Sequence, residues 1–128
     1  MTKAADASGS IMCLLDYNNM DILPVHSWAF YGLFKSCSPL RNPPDLPATA
    51  IGYNCYDNMF SESGVIRMPA LPAKNLYDSC YKEMFKKCKK LVEVSALPAT
   101  TLRNSCYYGM FDGCTSLRTA PALPATTL

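Results

Sequence analysis

The chain has 128 residues, a net charge of only +2 and a mean hydropathy of zero. That length admits one domain with its own core, so weak a charge excludes an electrostatic nucleic-acid binder, and no apolar run reaches the roughly 18 residues of a membrane span. The start, MTKAADASGSIM, lacks the long apolar stretch of an export signal.

Residues 1–22 do not repeat, and the sequence predicts that they cap a stack of repeats, with Ile11, Met12, Leu14 and Leu15 as apolar cover. From Leu23 onward the chain repeats itself. Leu-Pro recurs at Leu46, Leu71, Leu97 and Leu123, at intervals of 25, 26 and 26 residues. Nine residues after each of the first three stands Cys55, Cys80 or Cys106, and four further on comes Met59-Phe60, Met84-Phe85 or Met110-Phe111. A fixed period in the range of about 20–50 residues marks units that bury their apolar faces only against their neighbours.

The first unit, residues 23–45, is incomplete and aligns through Leu33-Phe34, Cys37 and Leu40, with three residues missing near His26. The second, 46–70, keeps Ile51, Cys55, Met59, Phe60 and Ile66 but is one residue shorter after Ser63. The third, 71–96, carries Leu76, Cys80, Met84, Phe85, Cys88, Leu91 and Val94 at the matching places. The fourth, 97–122, shows the plan most fully. Leu102, Cys106 and Met110, at i, i+4 and i+8, predict a short helix capped by Thr100 or Thr101, and Asp112-Gly113 predicts its stop. Cys114, Leu117, Ala120 and Ala122 then lead into an extended Ala-Leu-Pro stretch. Residues 123–128 open a fifth unit, in which Leu128 matches Leu102, so an uncapped end is expected to associate end to end or to continue into further repeats.

The predicted fold class is therefore α/β: a solenoid of about four coils, with short parallel strands on one face and short helices on the other. Two buried rows are predicted, Leu40, Ile66, Leu91 and Leu117, and Phe34, Phe60, Phe85 and Phe111. The seven cysteines fit the same scheme. Cys55, Cys80 and Cys106 share one repeat position, and Cys37, Cys88 and Cys114 share another, with Ser63 standing in the second unit. Thiols stacked in rows behave as small buried hydrophobes, which favours reduced core thiols over disulfides or zinc. Disulfides stay open, although an odd count leaves one thiol unpaired, and His26 alone cannot complete a zinc set.

The string FDGCTSL followed by a strand and LPATTL resembles the bacterial leucine-rich repeats of the BspA-like (surface-antigen) type, in the LPATTL and CYxxMFxxCTSL variety. The resemblance covers residues 23–128 and departs at Ser63 and in the first unit, which lacks the LPATTL opening. It implies a right-handed helix-and-strand superhelix on a secreted or cell-surface protein, with adhesion or binding as the role. It implies neither a substrate nor a cofactor.

On that plan the outward strand positions form the candidate ligand face. Arg41, Arg67, Val92 and Arg118 make one row, and Asn42, Met68, Glu93 and Thr119 make its neighbour. Guanidinium forks suit an anionic or carbohydrate partner, whereas the plainer reading is a solvated row whose stems cover apolar surface. A second row, Phe30, Tyr56, Tyr81 and Tyr107, is either a glycan platform or packing for the solenoid's far side. Lys86, Lys87, Lys89 and Lys90 crowd one turn, which reads as solvated or as a knuckle for an acidic partner. No catalytic motif stands out, since every cysteine but Cys13 falls on a repeating row and the carboxylates show no pairing. The function expected is a non-enzymatic recognition or adhesion module for a protein or glycan, with a ligand-free structural spacer or fibre element, including a phage appendage, as the alternative.

Overall fold

The computed structural model describes residues 5–6 and 27–123. The proposed cap at 1–22 apart from Ala5 and Asp6, the gap at His26, Cys13 and the opening of the fifth unit at 124–128 lie outside the described residues.

The expected α/β solenoid of the leucine-rich-repeat kind is not what these residues form. They contain no helix. Strand structure amounts to β1 (Ala5–Asp6) and β2 (Leu40–Asn42), paired in parallel with an irregularity between Ala5 and Asp6. Elsewhere isolated parallel bridges occur, among them Ala50 with Asn75, Arg67 with Glu93, and Asn75 with Thr101.

In place of each helix runs a chain of tight turns. In the second unit, the amides of Asp57, Met59, Ser61 and Ser63 donate to the carbonyls three residues back, at Asn54, Tyr56, Asn58 and Phe60. The alternating amides, of Asn54, Tyr56, Asn58, Phe60 and Glu62, donate instead to the next unit, at Asp78, Cys80, Lys82, Met84 and Lys86, over 2.8–3.2 Å. The first and third units do the same, for instance Phe30 to Cys55 at 3.0 Å and Phe85 to Met110 at 3.0 Å. Half of the donors that a helix would spend on its own axis thus tie successive units together, which satisfies them without a sheet.

Every second turn needs a left-handed residue in its third position, the geometry of a type II turn. Positive φ accordingly recurs every four residues, at Asn54, Asn58 and Glu62, then at Ser79, Glu83 and Lys87, then at Ser105, Gly109 and Gly113. Such a residue breaks any α-helix, and a side chain there costs about 1 kcal/mol relative to glycine. Lys87, exposed at φ 58°, occupies the place of Gly113. Lys87→Gly is therefore expected to stabilise the fold by about 0.5–1 kcal/mol, read as a raised denaturation midpoint. A helix would give the opposite sign, because interior glycine costs about 1 kcal/mol there.

The core lies between units. Phe34, Phe60, Phe85 and Phe111 stack with centroids 5.4–5.9 Å apart and planes within 6°. Phe60 and Phe85 are fully buried, while the outer pair, Phe34 and Phe111, is half-buried. A parallel ladder joins Phe30, Tyr56, Tyr81 and Tyr107 at 5.9–6.0 Å. Leu40 and Leu91 are buried as expected, but Leu117 is half-buried and Ile66 is exposed, because Val65 takes the slot.

The reason is a one-residue deletion. Where unit one has Cys37-Ser38-Pro39-Leu40, unit two has only Ser63-Gly64-Val65. The Gly64 amide donates to the Cys37 carbonyl at 3.2 Å, and a Cβ on Gly64 would strike the Ser38 carbonyl and the Arg41 guanidinium. Glycine closes the shorter path, and everything after it moves by one position.

Candidate recognition surface

That shift rearranges the candidate ligand face. Ile66 lies beside Arg41, to whose carbonyl its amide donates at 2.9 Å, and the Val92 amide donates to the Ile66 carbonyl at 3.0 Å. Arg67 bridges to Glu93 and reaches Asn42, its Nε donating to Oδ1 at 3.0 Å. The structure thus dissolves the expected row of Arg41, Arg67 and Arg118. Ile66 replaces Arg67 beside Arg41 and Val92, while Arg67 joins the row of Asn42 and Glu93.

Arg41 is also spent locally. Its Nη1 donates to the Ser38 carbonyl at 2.6 Å, to Gly64 at 3.3 Å and to Leu40 at 3.4 Å, so the half-buried guanidinium braces the loop facing Gly64. Met68 is buried and belongs to the core. Arg67, Val92, Glu93, Arg118 and Thr119 are exposed, and Asn42 is half-buried. What the sequence missed is apolar: Ile66 and Val92, 37% and 52% exposed, adjoin each other between Arg67 and Glu93. The missed signal is the β-branched pair Val65-Ile66, in which either residue could have filled the core slot.

The aromatic row of Phe30, Tyr56, Tyr81 and Tyr107 is packing, not a platform, since its first three members are buried. Burial pushes the hydroxyls of Tyr56, Tyr81 and Tyr107 well above the ordinary tyrosine value, and those of Tyr56 and Tyr81 have no hydrogen-bond partner. Of the lysine turn, Lys87, Lys89 and Lys90 are exposed, while Lys86 pairs with Glu83 at 3.3 Å. Such a surface pair contributes about 0–1 kcal/mol.

Cys37, Cys55, Cys80, Cys88, Cys106 and Cys114 are all free thiols. The second row has a specific job. Cys88 Sγ donates to the Phe60 carbonyl at 2.9 Å and Cys114 Sγ to the Phe85 carbonyl at 3.0 Å, fastening each unit to the one before. Burial pushes the Cys55 thiol from 9.0 up to about 12 and Cys88 to about 11, the latter against the pull of the Ser63 hydroxyl. Cys80 is raised also, by burial first and by its neighbour Cys55 second. Thiols held protonated in this way make poor nucleophiles at neutral pH.

The sign of the pH effect follows. The folded chain keeps these protons longer than the unfolded chain does, so their contribution is complete below about pH 9 and is lost as pH climbs towards 11 and 12. Denaturation midpoints are expected to fall steadily across that window. A midpoint independent of pH there would contradict the buried thiol rows.

Among the described residues no cluster of histidine, cysteine or carboxylate groups could hold a metal ion, and no helix is long and apolar enough to cross a membrane. Comparison with family models, with curated proteins and with solved structures finds no match to this chain.

Proposed function

We propose that this chain is a non-enzymatic recognition module of a bacterial surface or secreted protein, and that it binds a protein partner at Ile66 and Val92. The observation that carries the reading is the contiguous exposed pair, flanked by the bridged and exposed Arg67 and Glu93. An apolar centre inside a charged rim is how protein interfaces divide affinity from specificity. Val65 already fills the core slot, so exposure of Ile66 serves no packing need of the fold. The resemblance of the LPATTL and FDGCTSL strings to BspA-like surface antigens supports the class and the location.

The test is retention of the chain on an array of extracellular host and bacterial surface proteins. The double variant Ile66→Ser, Val92→Glu is expected to abolish retention while leaving the melting temperature within a few degrees, since exposed substitutions are usually worth about ±0.5 kcal/mol. Absence of any retention by the unaltered chain would favour the structural spacer instead.

A further inference from the structure

The two ends of the stack of turns are chemical opposites. Within the turns, every backbone bond between units runs one way: an amide donates to a carbonyl of the unit that follows, over 2.6–3.2 Å. The first unit therefore keeps a row of carbonyls, at Ala29, Tyr31, Leu33 and Lys35. The fourth keeps a row of amides, at Tyr107, Gly109, Phe111 and Gly113. Neither row has a partner among the described residues, and the residues that carry the carbonyls are all exposed. An open edge of unpaired backbone groups is a template for another chain. Carbonyls cannot pair with carbonyls, nor amides with amides, so only unlike ends fit.

The side chains at the two ends make the same match. Cross-unit bonding puts Tyr31, Asp57, Lys82 and Tyr108 at one repeat position. The inner two carry charge, while Tyr31 and Tyr108, at the ends, are aromatic and 49% and 61% exposed. Lys35 and Asp112 share another position and are both exposed, so stacking one end on the other sets an ammonium beside a carboxylate. Leu33 is 45% exposed, where its counterparts Met59, Met84 and Met110 lie buried. Phe34 and Phe111 are the half-buried ends of one ladder. Apolar groups left in water at both ends, with opposite charges in register, mark surfaces that meet each other.

We propose that a second copy of this chain docks head to tail, the turns of its first unit stacking on the turns of the fourth unit of the copy before. The amides of Tyr107, Gly109, Phe111 and Gly113 then donate to the carbonyls of Ala29, Tyr31, Leu33 and Lys35 of the next copy, the register of every interior junction. Tyr108 meets Tyr31, Phe111 continues the ladder onto Phe34, and Asp112 faces Lys35. The strand side of the first unit is already partnered, by β1 on β2, so the contact belongs to the turns. Each added copy leaves an unlike end free, so the assembly is an open chain of copies that does not close. This surface is separate from Ile66 and Val92 and independent of the partner proposed for them.

Sedimentation of the 128-residue chain in reducing buffer, from micromolar to millimolar concentration, should show species that grow with concentration. Leu33→Lys spoils the head and Tyr108→Glu the tail, each at an exposed residue, with melting curves to establish that both variants are folded. Either variant alone should stay monomeric, because each lacks one of the two ends that must meet. Their equimolar mixture should form dimers and nothing larger, the intact tail of one holding the intact head of the other. In the unaltered chain, the amides of Tyr107, Gly109, Phe111 and Gly113 exchange fast in the dilute monomer and should gain protection as concentration rises. The variant Ile66→Ser, Val92→Glu should associate undiminished. A monomer up to millimolar concentration, association unchanged in both end variants, or a mixture that forms no dimer would overturn the assignment. Those outcomes leave the protein-array result untouched, so the two surfaces stand or fall separately.

Discussion

Replacing Phe85 by alanine is expected to cost about 4 kcal/mol, the largest effect of any single substitution in this chain. Phe85 is fully buried and stacks on Phe60 at 5.4 Å and on Phe111 at 5.9 Å, so truncation opens a cavity walled on both sides. Its carbonyl also accepts the Cys114 thiol at 3.0 Å, and its amide donates to Met110, so relaxation into the void would strain two links between units. A domain of this size holds about 5–15 kcal/mol in all, which places the variant near the edge of folding. Phe34→Ala, at the half-buried end of the ladder, should cost about half as much because less apolar surface returns to water. Urea denaturation of the two variants measures the difference, and equal losses would mean that the ladder is not the core.

Gly64→Ala should follow, at about 3 kcal/mol, equivalent to roughly 10 °C in melting temperature. The added methyl group would meet the Ser38 carbonyl and the Arg41 guanidinium at once. The arginine can swing away, but the carbonyl belongs to the backbone that leads into β2. Gly64→Ala combined with Arg41→Ala should therefore regain only part of the loss, less the hydrogen bonds from Nη1 to Ser38 and Gly64 that Arg41→Ala removes. Full recovery would show that the guanidinium alone is the obstacle.

The repeat was legible because it is written in chemistry as well as in spacing. Leucine, cysteine and Met-Phe recur together, and that named the buried Phe60, Phe85, Leu40 and Leu91 from composition alone. That tight turns stand in place of the expected helix was not legible. Leu102, Cys106 and Met110 satisfy a period of 3.6 and a period of 4 equally well over so short a span. The residues that decide between them are the left-handed ones. Gly32, Gly109, Gly113, Asn54 and Asn58 carry that signal at four-residue spacing, but Glu62, Glu83 and Lys87 hide it, being side chains that ordinarily favour helices. Cross-unit bonding then holds those three in a conformation they would not choose.

The candidate surface failed in the sequence for a narrower reason. A deletion between Ser63 and Val65 can be placed on either side of a β-branched residue, and that choice moves Arg67 by one position. Only contacts between units, such as Arg67 with Asn42 and with Glu93, fix it.

Amide hydrogen exchange in the 128-residue chain tests the stacked-turn arrangement most directly. In the third unit the amides of Tyr81, Glu83, Phe85 and Lys87 donate to the fourth unit, and those of Lys82, Met84 and Lys86 close turns, so all should be protected. In the fourth unit Cys106, Tyr108, Met110 and Asp112 close turns, whereas Tyr107, Gly109 and Phe111 have no backbone acceptor among the described residues. The expected result is an alternating pattern there, with every second amide exchanging fast. Unbroken protection from Cys106 to Asp112, as a helix bonded four residues back would give, would contradict it.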